Sequence, residues 1–161
     1  MRARVYLETS VISYLTSRAS RDLVVAAHQQ LTADWWQTRA TRFDLVASLL
    51  VLQEAARGDH DAASRRLAVL SGVRLLEVTT AAEDLALDIV QQHVLPDKAL
   101  ADALHIGVAA VHEVEYLLTW NCGHIANAEL LPRVTTLIES YGYRMPFVCT
   151  PEELLGEGYG H

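Results

Sequence analysis

Four polar side chains stand at positions where chemistry collects in α/β proteins. Glu8 follows a short apolar run, Glu54 lies in a helical segment, and Asp102 opens an apolar, small-residue helix. Asn121 follows the strand-like run that comes after that helix. In open parallel sheets, ligands bind beyond the carboxyl ends of the strands. We therefore expect these four residues to face one cleft.

The carboxylates of Glu8, Glu54 and Asp102 would repel one another in a shared cleft. Such repulsion raises carboxyl pKa values, and a divalent cation relieves it. Oxygen ligands without a Cys or His cluster favour Mg²⁺ or Mn²⁺ over zinc. Such an ion can orient a water and stabilise charge on a phosphodiester, so these residues predict phosphoester cleavage. Taken alone, each acid also fits a helix cap or an exposed helix position, although the apolar neighbours of Asp102 make an unused charge there costly.

The elements that must position these residues alternate between strands and helices. Strands are predicted at residues 3–7, 43–48, 73–78, 116–119 and 145–149. A single helical turn is predicted at residues 11–15, and helices are predicted at residues 21–39, 49–57, 61–71, from 80 onward, at 97–112 and at 129–141. This order predicts an α/β fold, with a mostly parallel sheet of four to five strands between two helical layers. No linker or repeat interrupts residues 1–161, so we predict a single domain with a frayed tail at 156–161.

Several helix ends carry sequence signals. Ser20 is the predicted N-cap of the helix at 21–39. The runs at 80–83 and 150–153 have the form of capping boxes. Glycines are predicted to end three helices, at positions 58, 72 and 142.

The helix at 21–39 has an apolar residue at every fourth position. This spacing predicts the buried face of the helix: Leu23, Ala27, Leu31 and Trp35. Trp35 and its neighbour Trp36 are interpreted as core or interface anchors, with base stacking as the alternative.

Composition narrows the function classes. The chain has 161 residues, is 51% hydrophobic and carries a formal charge of -7. That charge argues against a protein that coats nucleic acid, but it allows an enzyme with a local binding patch. No long apolar run or signal-peptide pattern appears, so we expect no membrane span and a cytoplasmic location. Cys122 and Cys149 lie outside any CxxC motif and are expected to be reduced thiols.

Three runs, in this order, resemble the PIN-domain nucleases. They are YLETSVISYL from residue 6, SLLVLQEAARG from residue 48 and ADALHIGVAAVHEVEYLLTWN from residue 101. The resemblance spans roughly residues 3–155 and is greatest to the toxin ribonucleases of bacterial VapBC toxin–antitoxin modules. It rests on the order and spacing of the three runs, since no single motif is decisive.

The resemblance implies a three-layer PIN-like fold and a metal-dependent endoribonuclease. In that family's pattern, Glu8, Glu54 and Asp102 would hold Mg²⁺ or Mn²⁺ or its water ligands, and Asn121 would take the fourth polar position. Hydrogen bonds from Ser10 and Thr119 would support them. The implied partners are an RNA substrate, a cognate antitoxin protein and a second copy of the chain in a homodimer.

Two departures from the family pattern motivate a rival hypothesis. Glu8 replaces the usual Asp, which moves the carboxylate by about 1.5 Å. Asn121 replaces an Asp found in many members, so we expect one well-held ion. The rival is therefore a PIN-like module that has lost catalysis and binds RNA or protein. A doubly wound domain for a phosphorylated ligand is a weaker rival, because residues 8–11 lack a Gly-rich turn.

Other candidates keep two interpretations each. His105 is expected to be a packed or solvent-bridged residue, with a catalytic or ligand role as the alternative. His124 is expected to be exposed, with a phosphate contact as the alternative. Four further histidines are interpreted as surface residues: His28, His60, His93 and His112. Four arginines form either a phosphate-binding rim or a solvated surface: Arg18, Arg21, Arg39 and Arg42.

Overall fold

A computed structural model describes residues 1–157 and contains one five-stranded sheet. The strands are β1 (Arg4–Leu7), β2 (Asp44–Ser48), β3 (Arg74–Leu76), β4 (Tyr116–Leu118) and β5 (Phe147–Cys149). Their order across the sheet is β3-β2-β1-β4-β5, and every neighbouring pair is parallel. The predicted α/β fold with a parallel sheet is confirmed.

Seven α-helices connect and cover the strands within the described residues. They are α1 (Thr9–Thr16), α2 (Leu23–Thr38), α3 (Leu49–Ala55), α4 (His60–Leu70), α5 (Thr80–Gln91), α6 (Leu100–Val111) and α7 (Leu131–Ser140). Short 3-10 turns at Ala40–Arg42 and Asp97–Ala99 precede β2 and α6. Two elements differ most from prediction: α1 is a full helix rather than a single turn, and α6 begins after the 3-10 turn.

The central strand β1 lies at the heart of the core. Val5, Tyr6 and Leu7 have no exposed surface, as expected for a strand covered by helices on both faces. On one side, α5 and α6 pack closely at Gly107. A Cβ atom at Gly107 would lie 2.7 Å from the carbonyl oxygen of Ala82, so only glycine allows this approach of the two backbones.

The predicted buried face of α2 is wrong at Leu23 and Ala27 but correct further along, where Leu31 packs half-buried against the core. Leu23 is 86% exposed and Ala27 is also exposed, whereas Thr32 and Trp35 are buried. The reason is geometric, since a helix has 3.6 residues per turn and three steps of four residues rotate the stripe by about 120°. Trp35 is a core residue, as predicted, and Trp36 packs half-buried beside it.

Two predicted caps are displaced along the chain. The N-cap of α2 is Asp22, which accepts from the backbone N–H groups of Val24 and Val25 at 3.0 Å, whereas Ser20 only accepts from Asp22 N–H at 3.1 Å. The N-cap of α5 is Thr79, not Thr80, and its hydroxyl accepts from an N–H of the first turn at 3.2 Å. An acid or hydroxyl one or two residues from the predicted cap competes with it for the same backbone N–H groups. The sequence alone does not show which of the competing side chains accepts these hydrogen bonds.

The remaining end signals have mixed outcomes. Gly58 and Gly142 have φ of 84° and 87°, the left-handed conformation expected after a helix, but Gly72 does not adopt it. Thr150 and Glu153 bond each other as a capping box does, with Thr150 N–H donating to Glu153 Oε1 at 3.0 Å. The segment that follows forms turns rather than a helix. Of the predicted frayed tail, residues 158–161 lie outside the described part of the chain.

Candidate active site

Glu8 lies directly after β1 and caps α1. It has β-region dihedral angles, φ −72° and ψ 152°, and its Oε2 accepts from Ser10 N–H at 3.1 Å. Its Oε1 accepts from the hydroxyls of Ser10 and Thr119, the latter at 2.6 Å. Glu8 is only 5% exposed, so these donors replace the water that its carboxylate loses on burial.

The two hydroxyls that bind Glu8 are themselves held by the backbone after β4. Trp120 N–H donates to Ser10 Oγ at 2.8 Å, and Asn121 N–H donates to Thr119 Oγ1 at 2.9 Å. Each hydroxyl thus accepts from the backbone and gives its own proton to Glu8. Ser10 and Thr119 therefore support Glu8 by hydrogen bonds, as the resemblance implied.

Glu54 projects from the end of α3 toward the same edge of the sheet. Its Oε1 accepts from Thr9 Oγ1 at 2.6 Å and lies 2.6 Å from His105 Nε2. Partial burial acts to raise the pKa of Glu54, but the hydrogen bond and attraction of His105, together with Thr9 and Arg57, outweigh it. The pKa of Glu54 consequently lies below its ordinary value, and the group is a carboxylate at neutral pH.

His105 belongs to this cluster, although sequence reasoning did not assign it there. One nitrogen of His105 and one carboxylate oxygen from each of Glu8 and Glu54 lie within 4.8 Å of one another. His105 is fully buried on α6, and its Nδ1 lies 2.8 Å from the hydroxyl of Tyr6. Of the two expected environments, packed or solvent-bridged, the structure shows the packed one. The only sequence signal for its place in the cluster was its position one helical turn after Asp102.

Asp102 and Asn121 meet through a third residue, His124. The Nδ1 of His124 lies 2.9 Å from Asp102 Oδ2, and the backbone N–H of His124 donates to Asn121 Oδ1 at 3.0 Å. The side chains of Asp102 and His124 are partly buried. Among residues 1–157, Asp102 does not join the 4.8 Å group of Glu8, Glu54 and His105. Its predicted ligand role is therefore still a prediction.

The oxygen atoms that Glu8 and Glu54 offer as ligands suit a hard divalent cation. Glu8 and Glu54 offer carboxylate oxygens, the ligand type that Mg²⁺ and Mn²⁺ prefer. Within residues 1–157, the Oε2 of Glu54 receives no hydrogen bond, so that oxygen is available to a ligand. Hydroxyl and N–H groups donate hydrogen bonds to the other carboxylate oxygens of Glu8 and Glu54.

Beside the cluster lies an aromatic group that no sequence pattern indicated. Trp120 is nearly buried, and its indole N–H donates to Thr32 at 2.7 Å. The ring of His28 stacks on it with centroids 4.0 Å apart, and Tyr14 meets both rings edge-on. His28 is therefore half-buried rather than a surface residue. These contacts pack α1 and α2 against the loop that carries Asn121.

The four arginines do not form one rim. Arg42 lies two residues before the start of β2 and is thus near the amino edge of the sheet, opposite the carboxylates. Arg39 packs its guanidinium against Gly156, within 3.0 Å of where a Cβ would be. Arg18 and Arg21 are exposed. A surface cavity of about 590 Å³ also lies at the amino edge, but we assign the site to the carboxyl edge because the acids lie there.

No helix among the described residues is both long enough and apolar enough to cross a membrane.

The chain matches the family model of the PIN domain over residues 5–121. Among curated proteins, no significant match was found.

Several solved structures share the fold at low sequence identity. The toxin VapC20 of Mycobacterium tuberculosis, described as cleaving the sarcin–ricin loop, is 19% identical, with a TM-score of 0.60 over 77% of this chain and 95% of that one. VapBC2 of Rickettsia felis, bound to a promoter DNA fragment, is 13% identical, with a TM-score of 0.56 over 91% and 98% of the two chains. A toxin–antitoxin complex from Klebsiella pneumoniae is 17% identical, with a TM-score of 0.54 over 91% and 97%.

These neighbours support the fold alone, whereas the family model covers most of the chain and includes all four predicted site positions. The chain belongs to the PIN domain family.

Proposed function

We propose that this protein is a metal-dependent endoribonuclease that hydrolyses RNA phosphodiester bonds. The observation that carries the proposal is the pairing of Glu8 and Glu54 beyond the carboxyl ends of β1 and β2, with hydroxyl donors orienting both carboxylates. Membership of the PIN domain family supports the same reaction class.

Each residue of the site has a proposed role. Glu8 and Glu54 would bind the ion directly, since one carboxylate oxygen of each lies within 4.8 Å of the other. Asp102 would bind through the ion's water ligands, and Asn121, held by His124 N–H, would position a further water. A bound Mg²⁺ or Mn²⁺ supplies activation of a water and stabilisation of charge on the scissile phosphate.

The biological setting that we propose is a toxin–antitoxin module. The chain would be the toxin, a cognate antitoxin protein its inhibitor, and a homodimer its assembled form in the cytoplasm. Two of the similar structures are described as a VapBC pair and as a toxin–antitoxin complex, and this supports an antitoxin partner.

Cleavage of a mixed pool of structured RNA by the purified protein tests the reaction. The assay compares Mn²⁺ with EDTA and the wild type with Asp102→Asn, which keeps the size of the side chain but removes its charge. We expect cutting that requires Mn²⁺ and that Asp102→Asn loses. Full metal-dependent activity in Asp102→Asn would remove Asp102 from the site.

One observation favours the alternative of an inactive RNA-binding or protein-binding module. Glu8 already accepts hydrogen bonds from Ser10 N–H, the Ser10 hydroxyl and Thr119, so the protein alone compensates much of its charge. Calorimetric titration with Mn²⁺ separates the two functions. Saturable binding supports the nuclease, and no binding together with no cleavage supports the inactive module.

A further inference from the structure

Behind Glu54 lies a buried chain of three polar side chains that run back into the core. Ser48 Oγ lies 2.7 Å from the Tyr6 hydroxyl, which lies 2.8 Å from Nδ1 of His105. The Nε2 of His105 lies 2.6 Å from Glu54 Oε1. Ser48, Tyr6 and His105 have no exposed surface. Polar groups in a core are tolerated only when each has a hydrogen-bond partner. The hydrogen bonds therefore fix the arrangement of these three side chains.

The direction of the last hydrogen bond follows from the donors available. Glu54 is ionised, so its oxygen can only accept. A bare Nε2 lone pair at 2.6 Å from that oxygen would be repelled, and Nε2 must therefore carry a proton. The Tyr6 hydroxyl can donate or accept, and it lies 2.8 Å from Nδ1 of His105 and 2.7 Å from Ser48 Oγ. These two contacts hold the ring in the orientation that points Nε2 at Glu54.

This bond leaves one oxygen of Glu54 free. Thr9 and His105 both bind Oε1, whereas Oε2 receives no hydrogen bond from residues 1–157. Two donors on one oxygen fix the rotation of the carboxylate about its last bond. A nitrogen that donates a proton cannot also bind a metal, so the ligand set stays all oxygen, as Mg²⁺ requires.

We propose that His105 is a positioning residue, whose Nε2–H holds Glu54 so that its second oxygen meets the metal, with Ser48 and Tyr6 fixing the orientation of the ring. The proposal rests on the function proposed above. It differs from the prediction that His105 is merely packed, and also from a role as a nitrogen ligand.

The test measures metal binding and the His105 proton separately. Mn²⁺ affinity is measured by calorimetry for the wild type, His105→Met, His105→Gln and Glu54→Gln. Met has a similar size but no donor, whereas Gln can place an N–H close to where Nε2 lies. The metal-free protein, labelled with ¹⁵N-histidine, gives the protonation of each ring nitrogen by NMR, and the spectrum of His105→Gln assigns the signal.

We expect His105→Met to raise the half-saturating Mn²⁺ concentration by about tenfold to a hundredfold, the usual effect of removing a residue that orients a metal ligand. His105→Gln should recover most of that loss, while melting temperatures of the two metal-free variants remain similar. The spectrum should show a protonated Nε2 that persists when Mg²⁺ is added.

Three results would overturn the proposal. They are wild-type affinity in His105→Met, equal weakening in both His105 variants, or loss of the Nε2 proton when Mg²⁺ binds, which would make His105 a ligand. If His105→Met does not fold, the His105→Gln affinity and the two spectra still decide. A wild type that binds Mn²⁺ no better than Glu54→Gln would instead overturn the proposed function, and this inference with it.

Discussion

Thr119, just after β4, donates its hydroxyl proton to Oε1 of Glu8, just after β1, over 2.6 Å. The neighbouring strands β1 and β4 end side by side, and this bond joins their carboxyl ends at the site. It also gives Asn121 N–H an acceptor, so one hydroxyl connects two predicted site residues.

Thr119→Val should test this connection, because valine keeps the shape of threonine but cannot donate. Glu8 would remain buried with one donor fewer, so we expect a loss of about 1.5–3 kcal/mol in the free energy of unfolding. Chemical denaturation measures it. Thr119→Ser retains the hydroxyl and should lose clearly less; equal losses in the two variants would assign the effect to packing instead.

Acidification should destabilise the metal-free protein through Glu54. Its folded-state pKa lies below the unfolded value, so Glu54 contributes stability that is present above about pH 4.3 and is lost as the pH falls through the folded pKa. The free energy of unfolding is measured in EDTA between pH 7 and pH 3 for the wild type and for Glu54→Gln, whose side chain at position 54 cannot titrate. The difference in free energy of unfolding between the two proteins should shrink as the pH falls. If the two free energies change with pH in parallel, Glu54 does not make this contribution.

Gly107→Ala should destabilise the packing of α5 on α6. The new methyl group would lie 2.7 Å from a backbone oxygen of Ala82, which cannot rotate away as a side chain could. We expect a cost of about 1–3 kcal/mol, partly offset by a gain of about 1 kcal/mol in helix propensity. Gly72→Ala is the matched control, since its Cβ meets nothing within 4 Å. If Gly107→Ala is as stable as the wild type, α5 and α6 can move apart at little cost, and the close contact at Gly107 does not matter for stability.

Asp22→Ala should weaken α2 at its first turn. Asp22 accepts from two N–H groups of the helix, so its loss should cost about 0.5–2 kcal/mol in unfolding free energy. Ser20→Ala removes only an exposed bond to Asp22 N–H and should cost less than about 0.5 kcal/mol. The reverse ranking would restore Ser20 as the residue that matters for this helix end.

The layered fold could be predicted because each strand is a short apolar run between helical segments. That alternation leads to parallel pairing whatever the finer detail. Positions within helices were harder to predict. Leu23 and Trp35 share an apolar character, yet one is 86% exposed and the other is fully buried, since only the packing partner of α2 distinguishes them.

The site was predictable in its acids but not in their partners. Glu8 and Glu54 could be proposed from where strands end, but the bond between Glu54 and His105 joins residues 51 positions apart. Only the fold, which brings the end of α3 and the start of α6 close together, makes this contact, and no local pattern records it. The same holds for His124, which contacts Asp102 from a loop 22 positions away.

The rate of RNA cleavage at increasing Mn²⁺ concentrations, for the wild type and Glu54→Gln, tests the central claim most directly. We predict that the wild-type rate is negligible in EDTA and rises to saturation with Mn²⁺. Glu54→Gln should need at least about tenfold more metal for half its maximal rate, because a carboxylate ligand is replaced by a weaker amide. Cleavage by the wild type in EDTA, or identical metal curves for the two proteins, would contradict a metal-dependent site built on Glu54.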